Sequence, residues 1–209
     1  MLQLSAKIIS YIFQPVFVTF YALIATYWVA PYLFTQPNLL GSSEIIIIFF
    51  VNTVLFPVLS IVLMKKLGLL KDIEMFDRSE RYIPLISNLV FYIWCAVVSF
   101  KSQAPFIVQL LATGAVLTLA ISFVVTIFFK TSLHAAGASS MVAFFLNLYY
   151  IVKNDTFFLL LASIVVCGLV ASSRLIQKKH TVREVWVGIC IGIVGVQLAN
   201  LLLVYLYAT

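Results

Sequence analysis

The chain has 209 residues, of which 64% are hydrophobic and only 10% are charged. A soluble domain of this length cannot bury so much apolar surface, so the composition excludes a soluble globular protein and indicates a polytopic membrane protein. The net charge of +6 collects in a few short connections. That distribution argues against a nucleic-acid-binding surface and favours contact with anionic lipid or phosphate.

Hydropathy predicts seven membrane-spanning helices, and therefore an all-α, polytopic transmembrane bundle in which residues 1–209 form a single domain. Each span approaches the roughly 20 residues that cross the hydrocarbon core. The sixth span is short and only residues 101–103 join the third to the fourth, so the bundle has about six or seven spans. Pro15 and Pro57 fall inside spans, where neighbouring helices can satisfy the carbonyl groups that a kink frees. The predicted spans are 8–30, 44–64, 83–100, 104–128, 133–152, 156–173 and 185–207.

Three polar connections share one face of this predicted bundle. With seven spans, the connections after the second, fourth and sixth lie on the same side as the N-terminus. Eleven Lys and Arg residues fall on that side, and only Lys101 and Lys153 fall on the other. Because cytoplasmic loops are enriched in Lys and Arg, we expect this face to be cytoplasmic, in the cell (inner) membrane.

The first polar connection contains Lys71 and Arg78, seven residues apart. Leu70, Ile73 and Phe76 recur at helical spacing, so the stretch can form an amphipathic helix on the membrane surface, with both cations close to one face. A guanidinium fork and a lysine charge suit phosphate oxygens. A solvated loop whose cations only contact lipid headgroups explains the same pattern.

The second polar connection, residues 131–140, opens the fifth span and contains Ser132 and His134. A helix that begins here offers free backbone N–H groups and the positive end of its dipole, which together favour anion binding. His134 is then placed to protonate a leaving oxygen. The alternative is structural: Thr131 or Ser132 caps the helix, the small residues pack against another helix, and His134 lies at the membrane interface.

The third polar connection contains Arg174 at the end of the sixth span, followed by His180 and Glu184. If His180 is helical, the i,i+4 spacing lets the Glu184 carboxylate accept a proton from one imidazole nitrogen and leaves the other free to attack phosphorus. Thr181 and Glu184 also have the spacing of a capping box, which gives Glu184 a structural role. The two roles can coexist.

Together these stretches resemble the type 2 phosphatidic acid phosphatase superfamily, whose motifs are Lys-x6-Arg-Pro, Pro-Ser-Gly-His and Ser-Arg-x5-His-x3-Asp. Order and internal spacing match over roughly residues 71–190. The corresponding stretches here are Lys71-x6-Arg78-Ser79, Thr131-Ser132-Leu133-His134 and Ser173-Arg174-x5-His180-x3-Glu184. The chain departs from the pattern at Ser79, Thr131, Leu133 and Glu184. A Leu in place of Gly can crowd the phosphate, whereas Glu in place of Asp keeps the carboxylate.

The resemblance implies a membrane phosphatase that hydrolyses a lipid phosphate monoester without a metal or another cofactor. It implies that His180 forms a phosphohistidine, that His134 protonates the departing alcohol and that Glu184 orients His180. The residues that it implies for phosphate binding are Lys71, Arg78, Ser132 and Arg174. The substrate would be an anionic phospholipid or an isoprenoid phosphate: phosphatidate, phosphatidylglycerophosphate and polyprenyl phosphates all carry a terminal phosphate on an apolar chain.

Two other functions fit the same sequence. A catalytically inactive lipid-phosphate binder or transporter would use the same anion site without turnover. A structural membrane protein would use its basic connections only to contact headgroups. No carboxylate and histidine cluster has metal-ligand spacing, so no metal site is expected.

Overall fold

A computed structural model describes residues 2–35, 40–70 and 79–208 of the chain. These ranges are helical and contain no β-strand, which confirms the all-α prediction for the described residues. Their α-helices are α1 Leu2–Ile12, α2 Pro15–Val29, α3 Ser42–Phe50, α4 Phe56–Lys66, α5 Tyr82–Lys101, α6 Phe106–Phe128, α7 Leu133–Val152, α8 Phe157–Ile176 and α9 Val182–Ala208.

Six helical stretches of the described chain are long and apolar enough to cross a membrane, as a polytopic bundle requires. They are α3 with α4 (Ser42–Lys66), then α5, α6, α7, α8 and α9. Their ends agree with the predicted second to seventh spans to within three residues, the largest differences being at Ile176 and Val182. The positions of the apolar runs in the sequence therefore predict the ends of these helices.

The predicted first span, 8–30, is wrong as one continuous helix. α1 ends at Ile12, α2 begins at Pro15, and the two helices meet at 67°. Proline cannot donate a backbone hydrogen bond and its ring clashes with the preceding turn, so it fits the first position of a new helix better than the interior of an old one. α1 instead packs across α8, with Ala6 and Ser10 buried.

Pro57, the second proline inside a predicted span, does not divide its span. A π-helical turn, Val51–Leu55, separates α3 from α4 directly before Pro57. Such a turn changes the local hydrogen-bonding register, and it lets the span continue past a residue that cannot donate. The stretch therefore still qualifies as one span from Ser42 to Lys66.

α7 and α9 pack closely because glycines of α9 face the main chain of α7. A Cβ atom at Gly192 would overlap the carbonyl oxygen of Ala136 and the hydroxyl of Ser139, and a Cβ at Gly188 would overlap the carbonyl oxygen of Ser132. Lipid tails are as apolar as the helices, so close backbone packing of small residues is what holds membrane helices together.

This packing brings the first turns of α7 and α9 side by side. The Ser132 N–H donates a hydrogen bond to the Glu184 carbonyl oxygen at 3.2 Å, which links the second polar connection to the third. Gly195, further along α9, meets Thr118 of α6 in the same close manner. α9 is thereby fixed against both α6 and α7.

We expect Gly192→Ala to lower the free energy of unfolding by at least about 2 kcal/mol, because the added methyl group has no space between the two helices. The measurement is thermal or denaturant unfolding in detergent. Gly168→Ala on α8 is the matched control, since a Cβ there meets no atom within 4 Å. It should leave stability unchanged or raise it, because Ala favours a helix over Gly by roughly 0.5–1 kcal/mol. Equal effects of the two substitutions would contradict the packing argument.

Candidate functional site

The three polar connections meet at one end of the bundle, around a cavity of about 190 Å³. Its polar side chains at that end include Arg81, His134, Arg174 and His180. They come from four different places: the residue before α5, the first turn of α7, the last turn of α8 and the α8–α9 connection. Arg81 is more than fifty residues from the other three in sequence, yet all four side chains line the same cavity.

His180 and Glu184 form the shortest polar contact of the site. The imidazole Nδ1 lies 2.7 Å from Glu184 Oε2. His180 itself is not helical, because α9 begins at Val182, yet the contact predicted from the spacing is present. The Glu184 carboxylate also accepts the Thr181 N–H at 3.4 Å, and the Glu184 N–H donates to Thr181 Oγ1 at 3.3 Å. The capping box and the histidine contact coexist on one carboxylate.

Burial lowers the pKa of His180 to about 4, below its ordinary value of 6.5. The positive charges of Arg174 and Arg81 act in the same direction, whereas the hydrogen bond to Glu184 opposes them. The ring is therefore neutral at pH 7. With Nδ1 held by Glu184, Nε2 is the nitrogen that remains for a ligand.

His134 lies in the first turn of α7 and lines the same cavity. Its ring is beside the main chain of Ser10, and Arg174 and His180 are close enough to interact with it electrostatically. The structure thus brings both histidines of the chain to one cavity, with a guanidinium group nearby.

Arg174 is placed at the end of α8, where only 7% of its surface is exposed. Its Nη1 donates to Ser10 Oγ at 3.2 Å. A buried guanidinium keeps its charge, so this residue brings a permanent positive charge to the cavity wall. The sequence predicted that Arg174 ends the sixth span, and its role in phosphate binding stays a prediction.

Arg81 is the site residue that sequence reasoning missed. It is one of the eleven cations on the predicted cytoplasmic side. It lines the cavity with 5% of its surface exposed, and its Nη1 donates to the Thr131 carbonyl oxygen at 2.8 Å. Burial lowers its pKa and the Glu184 carboxylate opposes the shift. A signal was available: Arg81 lies three residues after Arg78, one helical turn nearer the span.

Two predicted phosphate ligands, Lys71 and Arg78, lie outside the residues that the structure describes, as does most of the surface helix predicted around them. Their roles stay predictions. Arg81 is the described cation nearest to them in sequence, and it lines the cavity.

Ser132 is the N-cap of α7, as the structural alternative expected. Its Oγ accepts the Ala135 N–H at 3.4 Å and the side chain is fully buried. Among the described residues that line the cavity are its neighbours Leu133 and His134, but not Ser132 itself. A hydrogen bond from the Ser132 hydroxyl to a phosphate therefore stays a prediction.

The cavity continues from the charged end into the depth of the bundle, between α2, α5 and α6. Asn88 lies seven residues after Arg81, which is about 10 Å along α5 at 1.5 Å per residue. Asn88 Oδ1 and Thr118 Oγ1 are buried there, and neither has a hydrogen-bond partner among the residues that the structure describes. Most of the surrounding wall is apolar: Pro15, Val16, Ile61, Pro84, Leu85, Ala115 and Leu119.

Within the described ranges, no three His, Cys, Asp or Glu side chains lie together as a metal site would require. No protein-family model, curated protein or solved structure matches the chain.

We expect the imidazole of His180 to titrate near pH 4, because its burial opposes protonation. The measurement is an NMR titration of protein labelled at histidine, in which His134→Gln assigns the two signals. Glu184→Gln should move the His180 midpoint still lower, since it removes the negative charge that favours the protonated ring. A midpoint at or above 6.5 in the unmodified protein would contradict this electrostatic description.

Proposed function

We propose that the chain is an integral-membrane phosphatase that hydrolyses a lipid phosphate monoester through a phosphohistidine intermediate. The observation that carries the proposal is the convergence of His134, His180 with its Glu184 contact, Arg81 and Arg174 on one cavity at the end of an apolar bundle. Phosphoryl transfer needs positioned cations and a positioned nucleophile, and this arrangement offers both. The resemblance to the type 2 phosphatidic acid phosphatases implies the same two histidines, Glu184 and Arg174, but not Arg81.

In the first step, Nε2 of His180 attacks phosphorus. A nitrogen–phosphorus bond forms, the ester bond to the lipid alcohol breaks, and His134 gives its proton to the departing oxygen. Glu184 accepts a hydrogen bond from Nδ1 and stabilises the positive charge that the ring acquires. His134 must carry a proton before this step, and the negative charge of a bound phosphate dianion would favour the protonated ring.

In the second step, a water molecule gives a proton to His134 and attacks the phosphohistidine. The nitrogen–phosphorus bond breaks, inorganic phosphate leaves, and both histidines return to their starting states. Arg81 and Arg174, together with Lys71 and Arg78, would bind the equatorial oxygens, where charge is spread during transfer. No metal ion is needed in either step.

The depth of the cavity supports a lipid as substrate. The phosphate would bind at the charged end, and the apolar wall would accept the first part of the chain. The Thr118 hydroxyl, below the charged end, can donate a hydrogen bond to an ester oxygen of a glycerolipid, which an isoprenoid chain lacks. We therefore expect phosphatidate or phosphatidylglycerophosphate to be a better substrate than a polyprenyl phosphate.

The distribution of cations supports a cytoplasmic orientation of this face, in the inner membrane, because eleven Lys and Arg residues fall on its side and two on the other. Labelling of a cysteine at the exposed position 178 by an impermeant reagent outside intact cells would contradict that orientation.

We expect purified protein to release inorganic phosphate from a lipid phosphate monoester with a chelator present, and His180→Ala to abolish release. The panel contains phosphatidate, phosphatidylglycerophosphate and a polyprenyl phosphate, and the measurement is free phosphate with time. Acid-labile, base-stable labelling of the unmodified protein by ³²P-lipid, absent in His180→Ala, would identify the phosphohistidine. Release that survives His180→Ala would eliminate this residue as the nucleophile.

We expect Arg81→Lys to raise KM for the lipid by about tenfold, because lysine keeps the charge but loses the planar fork that binds two phosphate oxygens. Arg183→Lys is the matched control. Arg183 is exposed on the same face, with its guanidinium 5.1 Å from the Phe129 ring centroid, and it does not line the cavity described here. The same change in KM for both variants would show a general effect of arginine on the membrane surface instead.

A lipid-phosphate binder or transporter without turnover is the second candidate, and one observation favours it. Leu133 lines the cavity at the position where the type 2 phosphatidic acid phosphatases have Gly, and its side chain occupies space next to His134. Tight binding of the lipid panel without phosphate release, unchanged in His180→Ala, would support this function over hydrolysis. Leu133→Gly would then be the variant to test for gained activity.

A further inference from the structure

Ser10 of α1 lies at the centre of a buried hydrogen-bond network that includes Arg174. Its Oγ is 3.2 Å from Arg174 Nη1, 2.8 Å from Gln177 Nε2 and 3.1 Å from Ser173 Oγ. Only 6% of Ser10 is exposed. One hydroxyl therefore contacts three side chains of the last turn of α8 and its extension.

The direction of each of these hydrogen bonds follows from chemistry. The Arg174 guanidinium and the Gln177 Nε2 group can only donate, so Ser10 Oγ accepts from both. The Ser173 hydroxyl donates to the Val170 carbonyl oxygen at 2.7 Å, which leaves Ser173 Oγ to accept the proton of Ser10. Ser10 thus uses its one donor and both of its acceptor positions, and its orientation is fixed.

α1 is attached to the same place by a second bond. Gln177 Nε2 also donates to the Ala6 carbonyl oxygen at 2.9 Å, one turn before Ser10. The 67° bend between α1 and α2 is what allows α1 to run against α8 rather than continue along the α2 axis. The Ser10 main chain lies beside the His134 ring as well. α1 therefore contacts two of the side chains that line the charged end of the cavity.

We infer that Ser10 is a positioning residue, which sets the orientation of the Arg174 guanidinium for phosphate binding. A guanidinium is planar and presents its donors in a rigid fork, so fixing Nη1 on Ser10 fixes the plane in which its other donors point. The inference deepens the proposed function and rests on it for the identity of the anion. Ser10 itself need not touch phosphate.

The test compares Ser10→Ala with Ser163→Ala, both buried serines on helices. Ser163 lies eleven residues before Arg174 on α8, and its hydroxyl donates only to the Leu160 carbonyl oxygen one turn earlier. We expect Ser10→Ala to raise KM for the lipid and the inhibition constant of inorganic phosphate by about tenfold, as for a lost hydrogen bond to a charged group. Ser163→Ala should change neither value, and Ser10→Thr, which keeps the hydroxyl, should restore both.

If Ser10→Ala does not fold, Ser10→Cys replaces it, because a thiol has similar size but accepts hydrogen bonds weakly. A lower melting temperature with unchanged KM and unchanged phosphate inhibition would overturn the inference, since Ser10 would then only attach α1 to α8. Binding of inorganic phosphate, measured by calorimetry, separates the two proposals. Phosphate that binds the unmodified protein without lipid turnover, and binds Ser10→Ala about tenfold more weakly, overturns hydrolysis and supports the role of Ser10. Absence of both turnover and binding overturns both.

Discussion

The close contact between α7 and α9 is the constraint on which the site depends. Gly188 and Gly192 leave no room for a side chain between the two backbones, and the first turns of both helices are linked by the hydrogen bond from Ser132 to Glu184. One helix carries His134 at its start, and the other carries Glu184 in its first turn. The distance between the acid and the nucleophile of the proposed reaction is therefore set by backbone packing rather than by flexible side chains.

The positive charges of the site lie on buried side chains. Arg81 and Arg174 are nearly buried, two imidazole rings lie beside them, and Glu184 is the carboxylate in contact with His180. Burial of positive charge is costly, so an anion bound in the cavity would stabilise the arrangement. The same burial keeps His180 neutral, which is the state that the proposed reaction needs in its nucleophile.

Sequence reasoning succeeded where one local rule decides the structure. Apolar length located the second to seventh spans. The contact between His180 and Glu184 is present, although His180 precedes α9 and the helical spacing that predicted the contact does not apply to it. It failed where packing between distant segments decides the structure. Nothing local says that Pro15 begins a new helix that turns by 67° instead of bending the old one. Arg81 and Ser10 were missed because a cation in a polar loop and a serine in an apolar run have no distinctive pattern. Only the packing of α5 and α1 places Arg81 in the cavity wall and Ser10 against Arg174.

The π-helical turn before Pro57 has a consequence for the whole of α4. Adding one residue to a turn advances every later side chain by about 100° around the helix axis, since an α-helix has 3.6 residues per turn. Ile61 forms part of the cavity wall in this advanced phase. Removal of one residue from 51–55 would rewind the segment, present a different stripe of α4 to the interior and turn Ile61 outward. The π-helical turn, which ends six residues before Ile61, thus helps to set the shape of this part of the cavity wall.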